Sequence, residues 1–263
     1  MLLRFTVLFT MFLASFAAAQ DSGLRRLDTG EDSRQWGAVG RLEIDGRGFC
    51  TGTLIAPDLV LTAAHCLFAK GSGAPHAIGA IEFRAGWRNG RAEAYRTVRR
   101  ATVHPKYARS DTASTENIQN DLALLELHHP VRNTTIDPFE TTGGLRKGSQ
   151  IGVVSYAVGR AEAPSLQEMC QVMGRQRGVH VLSCNIDFGS SGAPVFVFDR
   201  DQVRIASVVA AKADLKGSKV ALGAALDHSL PELLAAHEAE PFQATGTASL
   251  QDRSATGAKF IRP

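Results

Sequence analysis

The sequence lacks several features that mark proteins acting on nucleic acids, membranes or metal ions. Its 29 lysines and arginines nearly balance its 26 aspartates and glutamates, which leaves a formal charge of +3 at pH 7. No basic stripe interleaved with aromatic residues is visible, so nucleic acid is not an expected partner. No loop concentrates carboxylates at the spacing of a calcium site. We therefore expect a protein that works without a metal ion or other cofactor.

Long apolar runs are also scarce, and the longest lies at the N-terminus. Arg4 precedes the apolar run Phe5–Phe16, and Ala17-Ala18-Ala19 gives the small-x-small pattern of a signal-peptidase site. A membrane anchor is the alternative, but it needs about 20 apolar residues. We predict a signal peptide over residues 1–19 and a secreted or periplasmic protein, with no membrane attachment after its removal.

Cysteine occurs only four times, at Cys50, Cys66, Cys170 and Cys184. In an exported chain an even number predicts disulfides, and four cysteines allow three pairings. The first two bracket one strand–turn–strand segment and the last two bracket another, so we expect the local pairs Cys50–Cys66 and Cys170–Cys184. Structural zinc favours a C-x-x-C spacing that neither pair has. Disulfides are therefore preferred over a metal site.

Strand signals dominate the rest of the chain. Short β-rich runs recur between clusters of glycine, proline, asparagine and aspartate, which is typical of an all-β barrel or sandwich. The runs are Ala38–Ile44, Phe49–Ile55, Leu59–Thr62, Val98–Val103, Leu122–Leu127, Gln150–Val158, Gln171–Met173, Val179–Cys184, Ala193–Phe198 and Val203–Ala210. The polar segments 70–76 and 108–120 are expected to be loops.

One helix and the segment boundaries complete the predicted organisation. Pro231–Ala239 is expected to be a C-terminal helix with Ser229 as its N-cap. Residues 20–35 are an N-terminal segment, from which cleavage after Arg26 would release a short propeptide. The expected domain covers residues 36–240, with a crossover between two β halves at about 132–146 and a mobile tail over 241–263.

Three segments contain residue types that together perform nucleophilic catalysis. They are Leu61–Cys66, Asn120–Leu125 and Gly189–Pro194. The hydroxyl of Ser191 needs a base to take its proton, and a neutral imidazole such as His65 suits that role near pH 7. A shielded carboxylate such as Asp121 would fix the tautomer of the imidazole. The glycine turn offers backbone N–H groups to a developing oxyanion, and Gly189 lets that backbone approach a substrate.

Each segment alone has an ordinary structural explanation, as a core histidine, a turn or a flexible loop. In the order His, Asp, Ser they resemble the chymotrypsin/trypsin-like serine peptidase family, because other hydrolase folds arrange these groups differently. Cys50–Ile55 and Val103–Tyr107 support the resemblance, which covers about residues 36–235. The sequence is most similar to the bacterial glutamyl-endopeptidase (V8-like) branch.

The resemblance implies two antiparallel six-stranded β-barrels with a short C-terminal helix and the active site between the barrels. His65 would be the general base, Asp121 would orient it, and Ser191 would attack the scissile carbonyl. The N–H groups of Gly189 and Ser191 would form the oxyanion hole. The implied function is a monomeric serine endopeptidase that cleaves protein or peptide substrates through an acyl-enzyme. The alternative is a catalytically idle binding or regulatory module on the same fold.

The sequence also departs from the family pattern near the catalytic serine. Trypsin-like members carry an aspartate directly before that serine, where this chain has Ser190. The residue expected at the base of the substrate pocket is the neutral Asn185, and Val209 and Ala211 are the expected wall residues. Asp187 is close enough in sequence to leave basic specificity open. Glutamyl enzymes use a histidine on this wall strand, which is absent here; Lys212 could attract an acidic side chain, but a solvated lysine is expected. The residue preference of the substrate pocket is therefore left open.

Overall fold

The structure is a computed structural model that describes residues 23–109, 114–199, 202–215 and 217–239. The strands are β1 (Leu24–Arg26), β2 (Val39–Ile44), β3 (Gly48–Ala56), β4 (Leu59–Thr62), β5 (Ile81–Ala85), β6 (Ala94–Val103), β7 (Ala123–Leu127), β8 (Gln150–Ala157), β9 (Arg160–Gln176), β10 (Val179–Leu182), β11 (Pro194–Asp199), β12 (Gln202–Leu215) and β13 (Ser218–Ala225). The helices are α1 (Gly30–Ser33), α2 (Thr115–Gln119) and α3 (Leu226–Ala239). The predicted signal peptide and C-terminal tail lie outside the described residues.

The first half of the chain forms a closed barrel of six antiparallel strands in the order β2-β3-β4-β7-β6-β5. Along β5, buried residues alternate with half-buried ones, as expected for a strand with one face toward a core. The barrel interior is filled by fully buried side chains such as Leu42, Leu54 and Phe83. In this barrel β4 pairs with β7 so that Thr62 lies opposite Ala123.

The second half forms another antiparallel barrel. Successive pairings run from β8 through β9, β10, β13, β12 and β11 and return to β8. The predicted fold class, all-β with two six-stranded antiparallel barrels, is confirmed. The segment between β7 and β8 carries no strand and includes the predicted crossover at 132–146.

A third cluster of buried side chains lies between the barrels. Leu122 and Leu124 from the first barrel and Val208 from the second belong to it. At its centre the ring centroids of Trp36 and Phe196 are 5.0 Å apart. Because both barrels contribute to one core, their relative position is fixed, and the cleft between them has a defined shape.

The C-terminal helix begins earlier than predicted. Helix α3 starts at Leu226, directly after β13, and includes Pro231. The prediction of Ser229 as an N-cap is wrong, because its hydroxyl donates to the carbonyl of Gln119 at 3.1 Å from inside the helix. Buried side chains recur at helical spacing at Leu226, Leu230 and Leu233. Their packing stabilises the helical turn that precedes Pro231.

The N-terminal segment is paired with the second barrel. Strand β1 lies antiparallel to Ser165–Gln167 of β9. The next residue, Leu27, is fully buried, and its N–H donates to the carbonyl of Pro164 at 2.9 Å. Arg26, after which cleavage was predicted, is thus the last residue of a paired strand, and its processing stays a prediction. Among the helices in the described part of the chain, none is both long and apolar enough to cross a membrane.

Candidate active site

His65 and Asp121 are brought together by the register of β4 and β7. Because Thr62 and Ala123 lie opposite each other, the residues just after β4 and just before β7 meet at one barrel end. His65 lies there in a short 3-10 turn. Its ring Nδ1 lies 2.6 Å from Asp121 Oδ2, and its backbone N–H donates to Oδ1 at 2.8 Å. The buried carboxylate therefore orients the ring and favours a proton on Nδ1, which leaves Nε2 as an acceptor.

Ser191 lies in a tight turn directly before β11 of the other barrel. The turn needs glycine at Gly192, whose φ is +80° and whose N–H donates to the carbonyl of Val209 at 2.8 Å. A Cβ at this position would overlap the carbonyl of Thr51 and the hydroxyl of Thr62. Glycine thus lets the Ser191 turn approach the backbone of the first barrel.

Gly189 is the second glycine that the turn requires. Its φ is +97°, and a Cβ there would overlap the ring of Phe49. Within the residues that the structure describes, neither its N–H nor that of Ser191 donates to a protein acceptor. Two unpartnered N–H groups in one turn are suited to bind an anionic oxygen.

His65, Gly189 and Ser191 all line one cleft of about 570 Å³ between the barrels. No hydrogen bond joins Ser191 Oγ to His65 Nε2 in the described structure. Hydrogen bonds of this kind are often long without substrate and tighten only in the reacting complex. The structure therefore brings the predicted base, its orienting carboxylate, the nucleophile and the oxyanion donors to one site.

Comparison with known proteins gives the family. A family model described as Trypsin matches residues 29–181, which is more than half of the chain. The chain belongs to the trypsin family. The match ends before Ser191, so the assignment of the nucleophile depends on sequence pattern and geometry.

Two curated members of this family illustrate the likeness. Human cathepsin G is 35% identical over 115 residues, which cover 42% of this chain and 40% of cathepsin G. Modular serine protease of Drosophila melanogaster is 38% identical over 87 residues, which cover 31% of this chain and 13% of that protein. The aligned part of this trypsin-family chain thus spans less than half the length of either relative.

Two solved structures have the same fold. Glu endopeptidase gives a TM-score of 0.68 at 19% identity, covering 84% of this chain and 99% of that one. Protease Anisep from Arthrobacter nicotinovorans gives a TM-score of 0.60 at 19% identity, covering 76% of this chain and 95% of that one. At these identities the likeness concerns the chymotrypsin-like fold alone.

In this trypsin-family chain, Thr51 connects the two barrels behind the candidate oxyanion hole. Its N–H donates to the carbonyl of Ser191 at 2.9 Å, and its hydroxyl donates to the carbonyl of Gly189 at 2.8 Å. The same hydroxyl accepts from the N–H of Tyr156 at 3.1 Å, and the residue is fully buried. Sequence reasoning missed this role, for which the only signal was the position next to Cys50.

A second missed residue, Arg160, lies beneath the turn at Ser190. Its guanidinium donates to the Ser190 hydroxyl at 3.3 Å and to the carbonyl of Ser155 at 2.7 Å. Desolvation lowers the pKa of Arg160 to about 10, and the negative charge of Asp187 opposes this shift. The guanidinium of Arg160 thus holds Ser190, the residue that stands where trypsin-like members carry an aspartate.

The predicted pocket residues are not all open to a substrate. Asn185 is exposed, and its N–H donates to Gln167 Oε1 at 2.7 Å. Val209 is buried in the core of the second barrel, and Ala211 packs in a small cluster with Ile118. None of the three lines the cleft that holds Ser191. Their role in substrate selection stays a prediction.

The cysteines form the two local disulfides, Cys50–Cys66 and Cys170–Cys184. The sulfur atoms of the first pair and a ring nitrogen of His65 lie within 4.8 Å of one another, as metal ligands would. Both sulfurs are already bonded in a disulfide, however, and a metal would need them as thiolates. This cluster is therefore not a metal site while the disulfide is intact.

Proposed function

We propose that this protein is a secreted serine endopeptidase that cleaves peptide bonds through an acyl-enzyme. Membership of the trypsin family supports hydrolysis of protein or peptide substrates. The observation that carries the finer proposal is the pairing of His65 with the buried Asp121 in the cleft that Ser191 also lines.

In the first half-reaction, Ser191 Oγ attacks the scissile carbonyl carbon while His65 Nε2 takes the hydroxyl proton. Asp121 stabilises the resulting imidazolium, and the N–H groups of Gly189 and Ser191 donate to the oxyanion. The C–N bond then breaks, and the departing amine takes the proton from His65. The acyl group remains as an ester on Ser191.

In the second half-reaction, water attacks the ester carbonyl and His65 takes a proton from that water. Ser191 Oγ leaves the second tetrahedral intermediate and recovers the proton from His65. The product is a carboxylic acid, which releases its proton to water, and the enzyme returns to its starting state. No electron transfer and no cofactor enter this cycle.

The alternative, an idle binding module, is favoured by one observation. Ser191 Oγ and His65 Nε2 have no hydrogen bond in the described structure, as an idle site would also show. Such a module would bind peptides in the same cleft without forming an ester on Ser191. The two functions therefore differ in one measurable covalent step.

Two disulfides support an oxidising location, because such bonds persist outside the cytosol. With the predicted signal peptide over residues 1–19, this favours secretion or the periplasm. We further propose that the processed protein is a monomer without membrane attachment.

The test compares the chain from Gln20 with its Ser191→Ala variant. Each is treated with a fluorophosphonate, which labels activated serines, and with a mixed peptide library whose products are read by mass spectrometry. We expect labelling and internal cleavage by the native chain, and a loss on the order of 10⁶-fold in Ser191→Ala. The same assays on a chain from Leu27 show whether cleavage after Arg26 activates the protein. Peptide binding without labelling by either native form would overturn the proposal and establish the idle module.

A further inference from the structure

The cleft at Ser191 extends to one side of the catalytic pair. It holds His65 and Ser191 but none of the predicted pocket residues Asn185, Val209 and Ala211. If the acyl half of a substrate occupies that pocket, the cleft is left for the half that departs as the amine. Its volume of about 570 Å³ is large enough for one or two side chains.

The charged groups along this cleft are of one sign. Apart from His65, its cationic or basic lining residues are Arg47, Lys70, His76 and Arg109. Among the described lining residues there is no aspartate or glutamate. Arg47 Nε lies 3.3 Å from Asp45 Oδ2, and this carboxylate offsets part of the positive charge of Arg47. Lys70, in contrast, has no carboxylate partner among residues whose positions the structure describes.

Lys70 is held beside the catalytic residues by the loop that follows His65. The N–H of Ala69 donates to the carbonyl of Ala74, and the N–H of His76 donates to that of Leu67, each at 2.8 Å. These bonds close the loop, so that Lys70 Nζ lies 5.0 Å from the centre of the Phe188 ring. A cation on a closed loop loses less conformational entropy when it binds an anion.

The floor of the cleft is aromatic, which strengthens the effect of these charges. Phe49, Phe68, Tyr107 and Phe188 line it, and the rings of Phe68 and Tyr107 stack with centroids 6.1 Å apart. Apolar side chains exclude water and lower the local dielectric constant, so that charge interactions are less screened.

The carboxylate next to Phe188 in sequence does not offset the positive charge of Lys70. Asp187 accepts a hydrogen bond from Lys212 Nζ at 2.9 Å, and Lys212 Nζ also lies 4.0 Å from the Phe188 ring centre. This neighbouring ion pair is neutral as a whole. Among the described residues, the uncompensated charge beside the ring is therefore that of Lys70.

We propose that the cleft selects an acidic side chain within the first two residues after the scissile bond. The favoured substrates are thus peptides with aspartate or glutamate on the departing side, held by Lys70 with help from Arg47. This inference rests on the proposed endopeptidase function.

The test uses quenched fluorescent peptides that share one acyl half and carry Glu, Gln or Lys at the first or second departing residue. An ion pair at an exposed site changes affinity by about 1.5-fold to fivefold, so Lys70 with the partly offset Arg47 predicts about a fivefold preference for Glu over Gln in kcat/KM. Added salt should reduce this preference by screening. A Glu-to-Gln ratio near one in both positions would overturn the inference.

Charge reversal identifies the residue responsible. Lys70 is exposed, so Lys70→Glu should fold normally and turn the preference toward Lys peptides. Lys147→Glu is the matched control, since Lys147 is exposed and does not line the cleft. The inference fails if Lys70→Glu retains the native Glu-to-Gln ratio, or if Lys147→Glu changes that ratio as much.

A binding measurement separates this inference from the proposed reaction. Labelling by fluorophosphonate reports the reactivity of Ser191 independently of the departing residue. Labelled, active protein without acid preference would refute the inference alone. If no labelling occurs, fluorescence anisotropy measures the binding of amine-product peptides to Ser191→Ala. Tighter binding of peptides with Glu than of peptides with Gln supports the acidic subsite, and equal binding refutes it.

Discussion

At the scale of single residues, the Asp121 carboxylate determines which nitrogen of His65 carries the proton. Its two oxygens accept from the ring Nδ1 and from the backbone N–H of His65, at 2.6 and 2.8 Å. An asparagine amide has one oxygen and one NH2 group, so it cannot accept both bonds. Asp121→Asn therefore permits the tautomer with hydrogen on Nε2, which cannot take the proton of Ser191.

From this we predict that Asp121→Asn lowers kcat for peptide cleavage by about 10⁴-fold at pH 7, with little change in KM. Asp137→Asn removes the same charge from an exposed position and should leave kcat unchanged. Steady-state kinetics on one peptide would measure both. Activity of Asp121→Asn within tenfold of the native value would contradict the assigned role.

Thr51 is a positioning residue whose hydroxyl can be removed at nearly constant volume. In Thr51→Val the carbonyl of Gly189 loses its donor and the N–H of Tyr156 loses its acceptor. We expect kcat to fall about tenfold or more, because the oxyanion turn is less fixed, with a smaller change in KM. The unpaired buried N–H should also cost about 1–3 kcal/mol in the free energy of unfolding. Thr51→Ser keeps the hydroxyl and should retain most of kcat; equal kcat in the two variants would refute the role.

At the scale of elements, strands with strong apolar alternation were predictable, and strands made by their neighbours were not. Leu59–Thr62 was predicted with its observed bounds, because four strand-forming residues follow a turn signal. Strand β13 went unrecognised because its small residues have low β propensity, and its pairing with β10 and β12 forms it instead. Most of β9 was missed for a similar reason, since Pro164 and its glutamate- and glutamine-rich stretch break the pattern.

The candidate site divides in the same way. His65, Asp121 and Ser191 could be proposed as candidates from the sequence because each lies in a short local motif. Thr51 and Arg160 were not, because their roles arise from contacts that the fold creates. The hydroxyl of Thr51 and the carbonyl that it binds are 138 positions apart in the chain.

Strand β10 contains a buried histidine that makes the stability depend on pH. The pKa of His180 is lowered to about 4, mainly by burial and also by the positive charge of Arg175, while the negative charge of Asp227 opposes the shift. Within the described structure neither ring nitrogen has a hydrogen-bond partner. Because the unfolded chain binds a proton more tightly between about pH 6.5 and 4, the free energy of unfolding should fall as the pH is lowered through that window.

The expected loss from this one histidine is about 2 kcal/mol between pH 7 and pH 5. His180→Leu should reduce that loss by the same amount, since leucine has no charge to bury. Urea unfolding at the two pH values measures it, with the exposed His228→Gln as control. An unchanged pH dependence in His180→Leu would mean that the proton binds elsewhere.

At the scale of the whole molecule, stability and activity both depend on the cluster between the barrels. The proposed catalytic groups come from different barrels, so the cleft exists only while these halves remain docked. Trp36 is buried at the centre of the cluster, with its ring 5.0 Å from Phe196 and 6.0 Å from Phe139. A core shared in this way predicts that the barrels unfold in one cooperative transition.

Trp36→Ala should therefore destabilise both barrels together, by about 3–5 kcal/mol for a large buried aromatic side chain. Guanidinium unfolding followed by far-UV circular dichroism and by fluorophosphonate labelling should give coincident midpoints, both lowered in the variant. Val158→Ala, at a side chain that is 62% exposed, should shift neither midpoint appreciably. If fluorophosphonate labelling were lost at a lower denaturant concentration than the β structure, the barrels would separate before they unfold. The shared cluster would then hold the cleft together without coupling the unfolding of the two barrel cores.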